Sequence, residues 1–165
     1  MSWLLKLRHW QLFLMIILPA AWVSSSPLKE IINSLGLMIL FLWLYAISYY
    51  GQGVRSALGL PIMRVSFFQF NFIYCLLYCL FQLYFSNKFE GLATLGTPYI
   101  LLGLYSALAA FHVFGFTAKT LTSIIYRKEA SFSEYIFTSF QLLFFIFGIW
   151  GLQPKINHSY TRNTL

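Results

Sequence analysis

Residues 97–127 read TPYILLGLYSALAAFHVFGFTAKTLTSIIYR. Nothing after Pro98 breaks a helix, and no fixed charge appears before Lys119. At 1.5 Å per residue the stretch spans about 45 Å, against a bilayer core of about 30 Å. It predicts a membrane-crossing helix whose last turns, from Lys119 to Lys128, emerge from the bilayer unless the helix tilts strongly. Thr97-Pro98 marks the start, with Pro at the first helical position.

Four more apolar segments surround it. Together they predict an all-α integral membrane bundle of four to five transmembrane helices. The spans cover about residues 10–26, 28–50, 65–86, 98–120 and 132–152, in one domain over 1–165 with no soluble domain. The punctuation agrees. Ser26-Pro27 is an N-cap followed by Pro, and Ser131-Phe132-Ser133-Glu134 matches a capping box. Gly51 and Pro154 are the expected stops of the second and fifth segments. The first segment has a rival reading as a signal peptide, with its basic start and its Ala-Trp-Val-Ser-Ser-Ser end. Its internal Trp22 and the lack of a clean Ala-x-Ala site favour a retained span.

Composition points the same way. Apolar residues are 59% of the chain and charged residues 9%, too apolar for an ordinary soluble domain of this length. There is no Asp, and the Glu residues are Glu30, Glu90, Glu129 and Glu134. A net charge of +7 invites a nucleic-acid reading. The bases are scattered between apolar segments without a dense tract, so they read as topology signals and attraction to anionic headgroups, with no nucleic-acid partner. Placing the N-terminus inside puts Lys6, Arg8, Arg55, Arg64, Lys119, Arg127 and Lys128 on the cytoplasmic side. Lys29, Lys88, Lys155 and Arg162 then fall outside. This asymmetry predicts an N-in, C-out protein.

Chemistry-bearing residues are few. His112 sits in mid-span, where a polar side chain is expensive and raises a functional question. Its ordinary role is a neutral imidazole bonded to a neighbouring helix. Tyr105 and Lys119 lie seven residues away on either side, a conceivable proton path with no intramembrane carboxylate to complete it. Cys75 and Cys79 share a helical face, and with His112 they offer an unfamiliar metal-ligand spacing. They read as small packing residues, and no metal or other cofactor is expected. Asn33, Gln69, Asn71 and Gln82 are amides that either bond across helices or line a solute path. Gly103, Ala107 and Ala110, beside Ser106, form a small-residue face for helix packing, and Gly148 with Gly151 forms a lesser one. Trp10, Tyr49, Tyr50, Tyr84, Tyr99, Tyr126, Tyr135 and Trp150 fit an interfacial aromatic belt; mid-span Trp43 does not. The loop with Lys119, Arg127, Lys128, Glu129 and Glu134 is either a solvated hairpin or a docking surface. Motifs for phosphate loops, zinc proteases and serine nucleophiles are absent.

Thr117-Ala118-Lys119-Thr120-Leu121, Phe132-Ser133-Glu134-Tyr135, Phe147-Gly148-Ile149-Trp150 and Gln153-Pro154-Lys155-Ile156-Asn157 resemble the end of a group of small bacterial multi-pass membrane proteins with no assigned activity. His9-Trp10-Gln11-Leu12-Phe13 is similar to their start. The resemblance implies a bacterial cytoplasmic membrane and a retained first segment, and it implies no reaction.

The expected function is non-enzymatic: an accessory or scaffold subunit working through helix–helix association. Its partners are the lipid bilayer and another membrane protein or itself. The alternative is a small solute or ion carrier, with Gln69, Asn71 and His112 lining the path.

Overall fold

The computed structural model describes residues 5–22, 27–86 and 96–163. Ser26, the expected cap, and Lys88 lie outside the described residues, as do the side chains of Lys29, Asn33 and Arg162. Among the described residues six helices follow one another, with no strand. They are α1 (His9–Trp22), α2 (Pro27–Ala57), α3 (Ser66–Ser86), α4 (Thr97–Tyr126), α5 (Phe132–Leu143) and α6 (Phe145–Asn163).

Helix α4 is continuous, as its sequence predicts. It ends at Arg127, which takes a left-handed conformation at φ 54° and sends its N–H back to the Ile124 carbonyl. Helix α5 starts after Ser131, whose backbone N–H donates to Glu134 Oε2 at 2.8 Å, the reach-back half of the expected capping box. Helix α2 begins at Pro27.

The residues Ser34–Ala57 of α2 and Thr97–Tyr126 are long and apolar enough to cross a membrane. Helix α3 contributes a shorter apolar stretch, Ser66–Gln82. The pair α5 and α6 qualifies only if its two bent halves count as one span. Two or three described helices thus meet the length and composition of a span, fewer than the four to five expected.

Three local expectations are overturned. Gly51 does not stop α2, which runs on to Ala57. A Cβ at Gly51 would stand 2.4 Å from Thr120 Cγ2, so this glycine lets α2 and α4 touch. The turn falls later, at Gly59, whose φ of 70° suits a residue without Cβ. Pro154 does not stop α6; it stands exposed inside that helix.

The segment expected as one span over 132–152 is broken at Phe144, with an angle of 118° between its halves. Gly148 permits the bend. A Cβ there would lie 1.8 Å from the Gln141 carbonyl oxygen, a position no other residue tolerates.

The bend returns the chain to the end it came from. Lys155 and His158 of α6 border one groove with Ile124, Ile125 and Arg127 at the C-terminal end of α4. Lys155 and His158 therefore lie beside the α4–α5 hairpin. The expected C-out arrangement would set Lys155 across the bilayer from Arg127; here both residues border one groove.

Helices α2 and α4 run parallel, since Ser48 meets Thr117 and Gln52 meets Thr120. Helix α3 runs antiparallel to α4, pairing Phe68 with Phe116 and Gln82 with Tyr99. Helix α1 packs on α2 where Gly36 faces the Ile16 carbonyl, and Leu12 and Ile16 are buried there. Trp43 belongs to the core: it is fully buried and donates Nε1–H to Gln153 Oε1 at 2.9 Å. Gln153 Nε2 also bonds the Leu7 carbonyl at 2.9 Å, so α6 ties α2 to the N-terminal segment.

Candidate functional site

The densest polar feature is a seam between α2 and α4. Ser48 Oγ and Thr117 Oγ1 are 2.8 Å apart, and Gln52 Nε2 donates to Thr120 Oγ1 at 3.2 Å. Gln52 Oε1 accepts the Met63 backbone N–H at 3.0 Å, which fixes the α2–α3 loop. All four of these side chains are buried. Local spacing makes the seam. Ser48, Gln52 and Arg55 follow each other by four and three residues along α2, and Thr117, Thr120 and Ser123 by threes along α4, so each set shares one face.

At the top of the seam stands Arg55, fully buried. Its Nη2 donates to the Pro61 carbonyl at 2.7 Å and to Glu129 Oε2 at 2.5 Å. Lys119 Nζ lies 2.7 Å from Glu129 Oε1. Burial pushes the Glu129 carboxyl up, but the hydrogen bonds and charges of Lys119 and Arg55 outweigh it and hold the group below its ordinary value. Ser123 Oγ accepts the Ala130 N–H, and Thr122 Oγ1 donates to Thr138 Oγ1 at 3.0 Å. The hairpin is thus latched to both α2 and α5. Lys128 pairs with Glu134, while Arg127 is exposed.

The residues expected to line a solute path separate. Asn71 and His112 do meet: Asn71 Nδ2 is 3.4 Å from His112 Nδ1, and Tyr105 donates its hydroxyl to Asn71 Oδ1 at 3.1 Å. Gln69, two residues before Asn71, lies on a different face of α3 and stays outside this network among the described residues. Gln82 forms its own cluster with the hydroxyls of Tyr78 and Tyr99. These are interhelical and local bonds of the kind that hold helices together.

The small-residue face of α4 is also divided. Gly103 faces Tyr78 of α3, whose hydroxyl would be 3.5 Å from an added Cβ. Ala110 is half-buried and packs on the core, while Ala107 is exposed. Cys75 is buried and Cys79 half-buried, both as free thiols. The described residues hold no cluster of three or more His, Cys, Asp or Glu able to grip a metal.

Sequence reasoning missed the seam because it read Arg55 only as a flanking charge. The polar repeats on α2 and α4 were the available signal. No family model matches the chain, and no curated protein or solved structure matches it either.

Proposed function

We propose that this chain is an integral protein of a bacterial cytoplasmic membrane. It acts without turnover, as an accessory or scaffold subunit that binds another membrane protein or a second copy of itself. The observation that carries the reading is the outer face of α4. Ile100, Leu101, Leu104, Leu108 and Phe111 are each 59–67% exposed, and Ala107 leaves a notch among them. Contiguous apolar surface of this kind calls for lipid or protein cover, and a small residue within it allows a second helix to approach closely. The polar side chains, by contrast, are spent inside the bundle.

The bases support one orientation. With Lys155 beside the hairpin, Arg55, Lys119, Arg127, Lys128 and Lys155 stand at one end of the bundle. That clustering supports an orientation with this end toward the cytoplasm.

Replacing Ala107 with Leu fills the notch without touching the core. The expected result is loss of the complex with unchanged thermal stability of the chain. A complex of undiminished mass would contradict the reading.

A carrier keeps one specific support. His112 borders a cavity between α4 and α5, and only its Nδ1 has a partner among the described residues. Asn71 and Gln69 do not border that cavity. Loss of liposome flux in His112→Ala would favour the carrier, and unchanged flux would reject it.

A further inference from the structure

The cavity beside His112 is a groove of about 440 Å³ between α4 and α5. Ligand sites range over about 300–1,000 Å³. Its walls are Phe111, Phe116, Phe132, Ile136, Phe140 and Leu143. Gly115 also borders it, and the space where a Cβ would stand is open. His112 sits toward one end, held by Asn71 and packed edge-on against Phe67. Lys119 borders the other end, two helical turns nearer the hairpin.

Charge is unbalanced at the Lys119 end. Arg55 and Lys119 share the single carboxylate of Glu129, so two cations meet one anion and one positive charge is left over. Arg55 does not itself border the groove; its Nη1 is the one buried side-chain polar atom without a partner among the described residues. An ammonium has three donors, and Glu129 accounts for one contact with Lys119. The end of the groove therefore favours an anion, while its length favours an apolar chain.

We propose that this groove binds one anionic phospholipid, with an acyl chain along the Phe-lined walls and the phosphate at Lys119. The site rests on the membrane reading above. A free phosphate would meet the same charge but leave the aromatic walls uncovered, so the two sources are separable.

The test uses the full chain purified in mild detergent. Phosphatidylglycerol or phosphatidylcholine is titrated in, and bound lipid is counted by native mass spectrometry. Wild-type protein retains one phosphatidylglycerol per chain in preference to phosphatidylcholine, and inorganic phosphate does not displace it. Gly115→Leu fills the groove from an open position and loses the adduct. Lys119→Gln keeps the acyl contacts and loses about fivefold of the preference for phosphatidylglycerol, the effect of one basic residue near an anionic lipid. Ser139→Phe fills the groove from the α5 wall and decides the matter if Gly115→Leu fails to fold. Retention of the adduct by a folded groove-filled variant overturns the site, as does equal binding of the two lipids or displacement by inorganic phosphate. A chain absent from the membrane fraction overturns the membrane reading itself.

Discussion

Adding one methyl group at Gly51 tests whether the α2–α4 seam organises the bundle. The residue is buried inside α2, and a Cβ would stand 2.4 Å from Thr120 Cγ2 and 3.3 Å from Ile124 Cδ1. The closer contact is about 1 Å short of ordinary van der Waals separation. Thr120 is not free to turn away, because its hydroxyl accepts from Gln52 and donates to Met63 Sδ at 3.8 Å. Moving α4 outward instead stretches the 2.8 Å contact between Ser48 and Thr117.

Overpacking costs about 1–3 kcal/mol, and an interhelical bond in a membrane is worth about 0.6 kcal/mol. Ala regains about 1 kcal/mol over Gly in a helix. Gly51→Ala should therefore destabilise by about 1–2 kcal/mol, read from thermal or denaturant unfolding in detergent. Gly53→Ala is the control: an added Cβ there meets nothing within 4 Å, so it should stabilise by up to about 1 kcal/mol. Thr120→Ser removes the clashing methyl and keeps the hydroxyl, so Gly51→Ala in that background should lose most of its penalty. A neutral or stabilising Gly51→Ala, or an undiminished penalty beside Ser at 120, would refute the reasoning.

Other outcomes follow from the same geometry. Replacing Gln153 with Leu strands the buried Trp43 Nε1–H and should cost about 1–3 kcal/mol, measured by the same unfolding assay. Glu129 has a lowered carboxyl pKa, so its stabilisation is fully present above the ordinary value of 4.5 and is lost as pH falls below it. Hydrogen-exchange protection factors of residues 119–134, corrected for the intrinsic rate, should fall below pH 4.5, modestly because the carboxylate is 42% exposed; Glu129→Gln should remove that dependence. A reporter fused after residue 165 should be accessible from the same side as a cysteine label at Lys128, whereas opposite-side accessibility would exclude the returned α6.

What the sequence made legible was local. The unbroken α4 and the turn into α5 each depend on a few neighbouring residues, and each appears where the pattern puts it. What it concealed depends on distant partners. Arg55 looks like an interfacial base until Glu129, 74 positions away, is brought against it. Gly51 looks like a helix stop because its Thr120 contact has no signature in α2 itself. The break at Phe144 is the clearest case. Residues 132–152 are apolar throughout their middle, and nothing in that run marks the close contact of Gly148 with Gln141. His112, singled out as costly in mid-span, meets Asn71 on the neighbouring helix. Gln69 shared its chemistry but not its face.

The central claim is that α4 presents its outer face to another membrane helix. The most direct measurement is the particle mass, with all components identified, of the chain purified in mild detergent at native expression. The account predicts a stoichiometric complex, with a different membrane protein or a second copy, that comes apart in Ala107→Leu. A lone monomer carrying only lipid would contradict it.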